Sequence, residues 1–153
     1  MSETDKKELK YYVGEKSDLY FRRWETELGE VSKTSWNFSA FFLTVFWAAY
    51  RKMYGLAIGI LIAFFIIDII ASSTGMNDVL YVLIVWGTVG LFLGLFGNYL
   101  YYKHAKKKIR KLNRNSQNFW DEIDRVGGTS FKGVLIGIVL YMAYGFLAST
   151  LLY

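Results

Sequence analysis

The sequence predicts an all-α integral membrane protein with three transmembrane helices, a short re-entrant or interfacial aromatic helix and an amphipathic N-terminal helix. Three observations lead to this prediction. Of the 153 residues, 54% are hydrophobic. Three apolar runs are long enough to cross the ~30 Å hydrocarbon core of a bilayer, and a soluble domain of this size leaves too much surface to hide them. Each run also carries a GxxxG pair, whose spacing lets membrane helices approach closely.

Residues 1–35 form a polar N-terminal segment, and its first ten residues are charged and expected to be mobile. From Ser17 onward, apolar residues recur at helical spacing and predict an amphipathic helix. Its apolar face comprises Tyr20, Phe21, Trp24, Leu28 and Val31. Such a helix lies on the membrane surface or on the protein's own transmembrane bundle. A soluble helix that packs on a partner is the alternative.

The first apolar run, residues 36–50, is too short to cross a bilayer. Fifteen residues rise about 22 Å as an α-helix, against a hydrocarbon core of ~30 Å. A crossing here would also export Arg22, Arg23 and Lys33, against the tendency of basic residues to stay in the cytoplasm. We therefore expect a re-entrant or interfacial helix in this run.

The membrane domain, residues 36–153, contains three predicted spans at about 55–72, 79–100 and 131–153. Each span contains one glycine pair for close helix packing. These glycines are Gly55, Gly59, Gly90, Gly94, Gly133 and Gly137. They could pack the three helices of one chain against each other or join two copies of the chain, and the sequence leaves both arrangements open.

Basic residues orient the spans. Residues 99–130 carry eight Lys and Arg against three Asp and Glu, which accounts for the net charge of +5. The positive-inside rule then places the N-terminus and the 101–130 loop in the cytoplasm. We expect the basic flanks to contact anionic lipid headgroups. The residues concerned are Arg51, Lys52, Lys103, Lys106, Lys107, Lys108, Arg110 and Lys111. No nucleic-acid motif accompanies the charge, so nucleic acid is not an expected partner.

Asp68 is the one ionisable residue well inside a predicted span. Such residues face protein or water and indicate a functional site. Ser149, Thr150 and Tyr144 of the third span are candidate hydrogen-bond donors to it. We favour a structural or interfacial aspartate, and a proton or cation site is the sharper alternative.

Patterns typical of catalysis or metal binding are missing from the sequence. The chain has no cysteine and a single histidine, so thiolate metal sites and disulfides are excluded. It contains no HExxH motif, no phosphate loop and no nucleophile elbow. We therefore expect a protein that is not an enzyme, with no catalytic residue, no metal and no cofactor.

Five short motifs resemble those of a known protein family. They are YVG at 12–14, W-N-F at 36–38, YRKMY at 50–54, GNYLYYKH at 97–104 and GGTS at 127–130. On these motifs the chain resembles a bacterial family of small integral membrane proteins catalogued as a domain of unknown function. The resemblance implies a membrane protein of a bacterial host and implies no activity. Some members carry an N-terminal zinc ribbon, which a chain without cysteine cannot form.

The functional expectation is a non-enzymatic protein of the bacterial cytoplasmic membrane that acts as a scaffold or accessory subunit. Its partners would be the lipid bilayer, anionic lipids, and either a second copy of the chain or a larger membrane protein. The alternative is a small oligomeric channel or transporter in which Asp68 lies on a polar path.

Overall fold

The computed structural model describes residues 1–26 and 29–152. In that part of the chain the regular elements are helices, apart from one isolated β-bridge. In chain order the helices are α1 (Glu3–Val13), α2 (Ser17–Trp24), α3 (Phe38–Tyr50), α4 (Tyr54–Thr74), α5 (Asp78–Val85), α6 (Leu91–Ile109), α7 (Phe119–Val126) and α8 (Phe131–Leu152). The predicted all-α class is therefore confirmed.

Three helical stretches are long and apolar enough to cross a membrane. They are Tyr54–Thr74, Asp78–Ile109 and Phe119–Leu152, and the last of these includes α8. The predicted short apolar helix is α3. Tyr153, the last residue of the third predicted span, lies outside the described residues.

The chain divides into two compact units. Unit 1 comprises Met1–Trp36 and Leu95–Thr129, and unit 2 comprises Asn37–Gly94 and Ser130–Tyr153. Unit 1 therefore contains α1, α2, α7 and most of α6. Unit 2 contains α3, α4, α5 and α8, and within it α3, α4 and α8 contact one another in pairs.

The N-terminal part of unit 1 differs from the prediction in two ways. Residues expected to be mobile form α1, because Ser2 caps the helix by accepting from the Asp5 N–H at 3.1 Å and Leu9 is fully buried. The amphipathic helix is present as α2, but it ends at Trp24. Beyond it the backbone is extended, and Glu25 pairs with Val31 in an antiparallel bridge. Leu28, predicted on the helix face, lies outside the described residues.

Aromatic side chains form the centre of unit 1. The ring of Tyr101, which is fully buried, contacts Tyr20, Trp24 and Tyr12 at centroid distances of 4.9, 5.7 and 6.2 Å. The Trp24 indole N–H donates to the backbone carbonyl of Asn98 at 2.7 Å. A buried indole needs such an acceptor, and α6 supplies it.

Two helices of unit 2 depart from regular α geometry. Thr44 interrupts α3 with φ 34° and ψ −100°, a conformation that is strained for a β-branched residue. A π turn, Trp86–Gly90, joins α5 to α6 within one continuous helix. Such turns accommodate an extra residue and occur often at functional sites. The α3 break has no glycine or proline to cause it, so we attribute it to packing.

Candidate functional site

A polar cluster in unit 2 is centred on Asp68 of α4, which is 8% exposed. The hydroxyl of Tyr81 on α5 donates to Asp68 Oδ1 at 2.7 Å. The hydroxyl of Tyr144 on α8 donates to Asp68 Oδ2. We call these three residues the Asp68 cluster. One carboxylate thereby links three different helices through side-chain hydrogen bonds, which fits an acidic group removed from water.

The donors to Asp68 differ in part from the predicted candidates. Tyr144 lies where the sequence suggested, but Ser149 and Thr150 do not reach the carboxylate. Their hydroxyls donate to the Phe146 carbonyl at 2.9 and 2.8 Å, because serine and threonine inside a helix readily bond back to the preceding turn.

Sequence reasoning missed Tyr81, although one signal could have found it. Gly75 ends α4 in a left-handed conformation, and α5 begins three residues later, so the two helices form a tight hairpin. Asp68 and Tyr81 lie at nearly equal distances along the chain from this turn. Two residues at equal distances from the turn of an antiparallel helix pair lie side by side, because both helices rise about 1.5 Å per residue. Counting residues from Gly75 could therefore have identified Tyr81 as a neighbour of Asp68.

A cavity of about 310 Å³ lies beside the Asp68 cluster. Tyr81 and Tyr144 both line it and both donate to Asp68, which is not itself a lining residue. Most of the remaining wall is aromatic as well. The other aromatic lining residues are Phe42, Phe46, Phe64, Trp86 and Tyr141.

Both helix irregularities border this cavity. Thr44, at the break in α3, lines it, and so do Trp86 and Gly90 at the two ends of the π turn. A Cβ atom at Gly90 would lie 2.8 Å from Trp86 Cε3, so glycine there leaves room for the indole ring. The cavity is thus formed where α3 and the α5–α6 stretch depart from straight helices.

The three predicted packing pairs behave differently. A Cβ atom at Gly133 would lie 2.3 Å from the backbone oxygen of Ala49, and one at Gly137 would lie 3.0 Å from the Ala49 side chain. This pair is therefore filled by α3 of the same chain. Gly55 and Gly59 are exposed, and among the described residues no atom beyond the adjacent backbone of α4 would lie within 4 Å of a Cβ added at either.

The third pair is also used within unit 2. Gly90 and Gly94 are buried, and the Gly94 carbonyl accepts from the Asn37 N–H at 2.8 Å, just before α3 begins. A Cβ atom at Gly90 would also lie 3.4 Å from the Phe41 ring of α3, so both glycines serve the packing of α3.

The basic residues of α6 and of the two positions after it gather in unit 1. A cleft of about 560 Å³ is lined by the predicted lipid contacts Lys103, Lys106, Lys107, Arg110 and Lys111, together with Tyr102 and His104. Among these, the Lys106 ammonium donates to Asp5 of α1. Burial alone would raise the pKa of Asp5, but the hydrogen bonds from Lys106 and Ser2 outweigh it and lower that pKa. The aspartate therefore stays ionised and ties α1 to α6.

The other predicted headgroup contacts are not equally accessible. Lys103, Lys107, Lys108, Arg110 and Lys111 are exposed. Arg51 in unit 2 is only 5% exposed, and Lys52 beside it is half-buried. The accessible positive charge thus lies on the end of α6 and the residues just after it, and contact with anionic lipid stays a prediction.

Comparison with known proteins gives a family and no activity. A family model described as protein of unknown function (DUF2628) matches residues 3–107. The match includes the first four sequence motifs noted above and ends before GGTS at 127–130. No curated protein and no solved structure matches the chain. The resemblance to a domain of unknown function is therefore confirmed.

Proposed function

We propose that this chain, which belongs to the DUF2628 family of proteins of unknown function, is a non-enzymatic scaffold or accessory subunit of the bacterial cytoplasmic membrane that associates through α4. The contrast between its glycine pairs carries the proposal. Gly133 and Gly137 are filled by the chain's own α3, whereas Gly55 and Gly59 are open to an approaching helix. An open pair of this kind suits close backbone contact between membrane helices.

The surroundings of Gly59 support an apolar helical partner. Ala63 continues the spacing of Gly55 and Gly59, so small residues recur every four positions on α4. Gly59 and Ala63 border an apolar groove of about 400 Å³, whose far side includes Val89 and Phe92. The same face of α4 in a second copy has matching small residues, so a homodimer is the simplest arrangement.

The exposed lysines at the end of α6 and just after it support the proposed membrane orientation. With this basic stretch in the cytoplasm, the N-terminus is cytoplasmic too and the short α4–α5 connection faces outward. Anionic headgroups of the inner leaflet would then attract Lys107, Lys108 and Lys111.

Gly59→Leu is expected to weaken association without unfolding unit 2, because leucine would fill the space that a partner helix needs. We expect the dissociation constant of the complex to rise about tenfold, which is about 1.4 kcal/mol of binding free energy. The measurement is the mass of the complex extracted gently from native membranes, with each co-purifying protein identified. Gly145→Leu is the matched control, because Gly145 on α8 is also exposed and open. A wild-type chain that extracts as a lone monomer would overturn the proposal.

A second candidate function is a small oligomeric channel or transporter, and the position of the Asp68 cluster beside a cavity favours it. In proteoliposomes, this candidate predicts flux of protons or monovalent cations that Asp68→Asn reduces. Asp78→Asn is the control, since Asp78 is exposed in the first turn of α5. A purified chain that carries no flux at any protein-to-lipid ratio rules this candidate out and leaves the accessory role.

A further inference from the structure

We infer that the aromatic cavity of unit 2 binds a lipophilic organic cation, of the quaternary ammonium class. Its volume of about 310 Å³ lies at the lower end of the ~300–1,000 Å³ range of small-molecule sites. This assignment is independent of self-association and of transport, because a site can hold a ligand in a chain that does neither.

The cavity wall has the chemistry of an aromatic cage. Its rings come from α3, α4, α5, the π turn and α8, and they include Phe42, Phe64 and Trp86. The face of an aromatic ring carries negative electrostatic potential, and several rings around one cation are the usual means of recognising quaternary ammonium groups.

The charge distribution around the cavity favours a cation. The side chains that line it, as far as the structure describes them, include no lysine, arginine or histidine. Two of the lining residues, Tyr81 and Tyr144, donate to the carboxylate of Asp68, which brings a negative charge close to the wall. In surroundings of low dielectric constant a single charge of this kind acts over a longer range than in water.

The hydrogen bonds of the two tyrosines narrow the ligand class further. Each hydroxyl hydrogen is directed at Asp68, so neither is left to donate to a ligand in the cavity. From these two hydroxyls, the acceptors of a ligand would gain no hydrogen bond to replace those lost to water. A quaternary ammonium ion has no N–H group to satisfy and suits a wall rich in aromatic rings.

The exposed edge of the cavity indicates how the ligand enters. Phe42, Val82 and Trp86 line the cavity and are themselves 61%, 50% and 36% exposed. Val82 and Trp86 belong to a helix long and apolar enough to span the membrane. The opening therefore faces the region that lipid chains would occupy, which selects a ligand that partitions into the bilayer.

Backbone strain at the cavity wall is an independent observation in favour of a site. Thr44 holds a positive φ, a conformation that is strained for a β-branched residue. Strain of this kind persists where surrounding packing imposes it, and it is concentrated at ligand sites and switch regions. The π turn across the cavity is a second irregularity of the same type.

The test compares a cation with its neutral carbon isostere. The full chain in lipid nanodiscs is titrated with benzyltrimethylammonium and with neopentylbenzene, and the partitioning into empty nanodiscs is subtracted. We expect saturable binding of the cation at one site per chain, at least about tenfold tighter than the isostere, as expected for a cation in an aromatic cage. Equal affinities would show a merely apolar cavity and overturn the inference, as would the absence of saturable binding.

Two variants assign the binding to the charge and to the rings. Asp68→Asn should weaken the cation about tenfold and leave the isostere unchanged, because the amide keeps the shape and loses the charge. Phe64→Leu should weaken the cation by a similar factor while both hydrogen bonds to Asp68 stay in place. Phe146→Leu on α8 is the matched control, since Phe146 is exposed and outside the cavity. If Asp68→Asn does not fold, Phe64→Leu alone tests the inference. An unchanged affinity for the cation in Phe64→Leu would show that the cation does not bind in this cavity.

Discussion

Replacing Gly133 by alanine should destabilise unit 2 by about 1–3 kcal/mol, the usual cost of overpacking a well-filled core. The new methyl group would lie 2.3 Å from the backbone oxygen of Ala49 and 3.3 Å from the hydroxyl of Tyr54. The first of these atoms belongs to backbone and cannot rotate away. Alanine favours the helical conformation over glycine by about 1 kcal/mol, so the steric cost must exceed that gain for the variant to be less stable. A net loss of stability therefore measures how closely α3 and α8 approach.

The measurement for Gly133→Ala is reversible unfolding of the purified protein in mixed micelles, followed by circular dichroism. Gly145→Ala on the same helix is the control, because no described atom lies within 4 Å of its added Cβ. That variant should be unchanged or more stable by up to about 1 kcal/mol. Equal stability of the two variants would mean that α3 does not lie against Gly133.

Asp68→Ala should destabilise unit 2 by about 3 kcal/mol, because it leaves the hydroxyls of Tyr81 and Tyr144 without their acceptor at a cost of roughly 1–3 kcal/mol each. Replacing all three partners by apolar groups removes that penalty. The triple variant with Asp68→Ala, Tyr81→Phe and Tyr144→Phe should therefore be more stable than Asp68→Ala alone.

The same unfolding assay, applied as a mutant cycle over Asp68, Tyr81 and Tyr144, measures the coupling directly. Contacting residues in one hydrogen-bond network give interaction energies of about 0.5–3 kcal/mol. Tyr141→Phe is a suitable control. Tyr141 lines the same cavity, and the hydroxyls described as donors to Asp68 are those of Tyr81 and Tyr144. Strictly additive effects would mean that the three side chains do not act as one network.

Elements set by local composition were predictable from the sequence, and elements set by tertiary contact were not. The long helices were found because length and hydropathy alone decide whether a segment can cross a bilayer. The helix α1 was not, because its charged composition favours solvent. It forms because Leu9 and Tyr12 are buried in unit 1, where Gly127 allows the backbone to approach Tyr12 closely.

The candidate site was predictable only at its centre. Asp68 stands out because a charge in an apolar run is rare. Nothing in composition distinguishes Tyr81 among twelve tyrosines; only the hairpin geometry of α4 and α5 does. The break at Thr44 and the π turn could not be predicted from proline, because the chain contains none. Both irregularities arise from packing between helices, and the residue pattern of a single helix does not reveal that packing.

The π turn has a further consequence, for the phase of the helix in which it lies. In a straight α-helix, Gly87, Gly90 and Gly94 would lie along one side. The extra residue in Trp86–Gly90 advances everything before it by about 100°, and Gly87 is exposed while Gly90 and Gly94 are buried. The turn therefore lets α5 and α6 be phased separately. A turn one residue shorter would rotate Tyr81 and the rest of α5 by about 100° relative to Gly94.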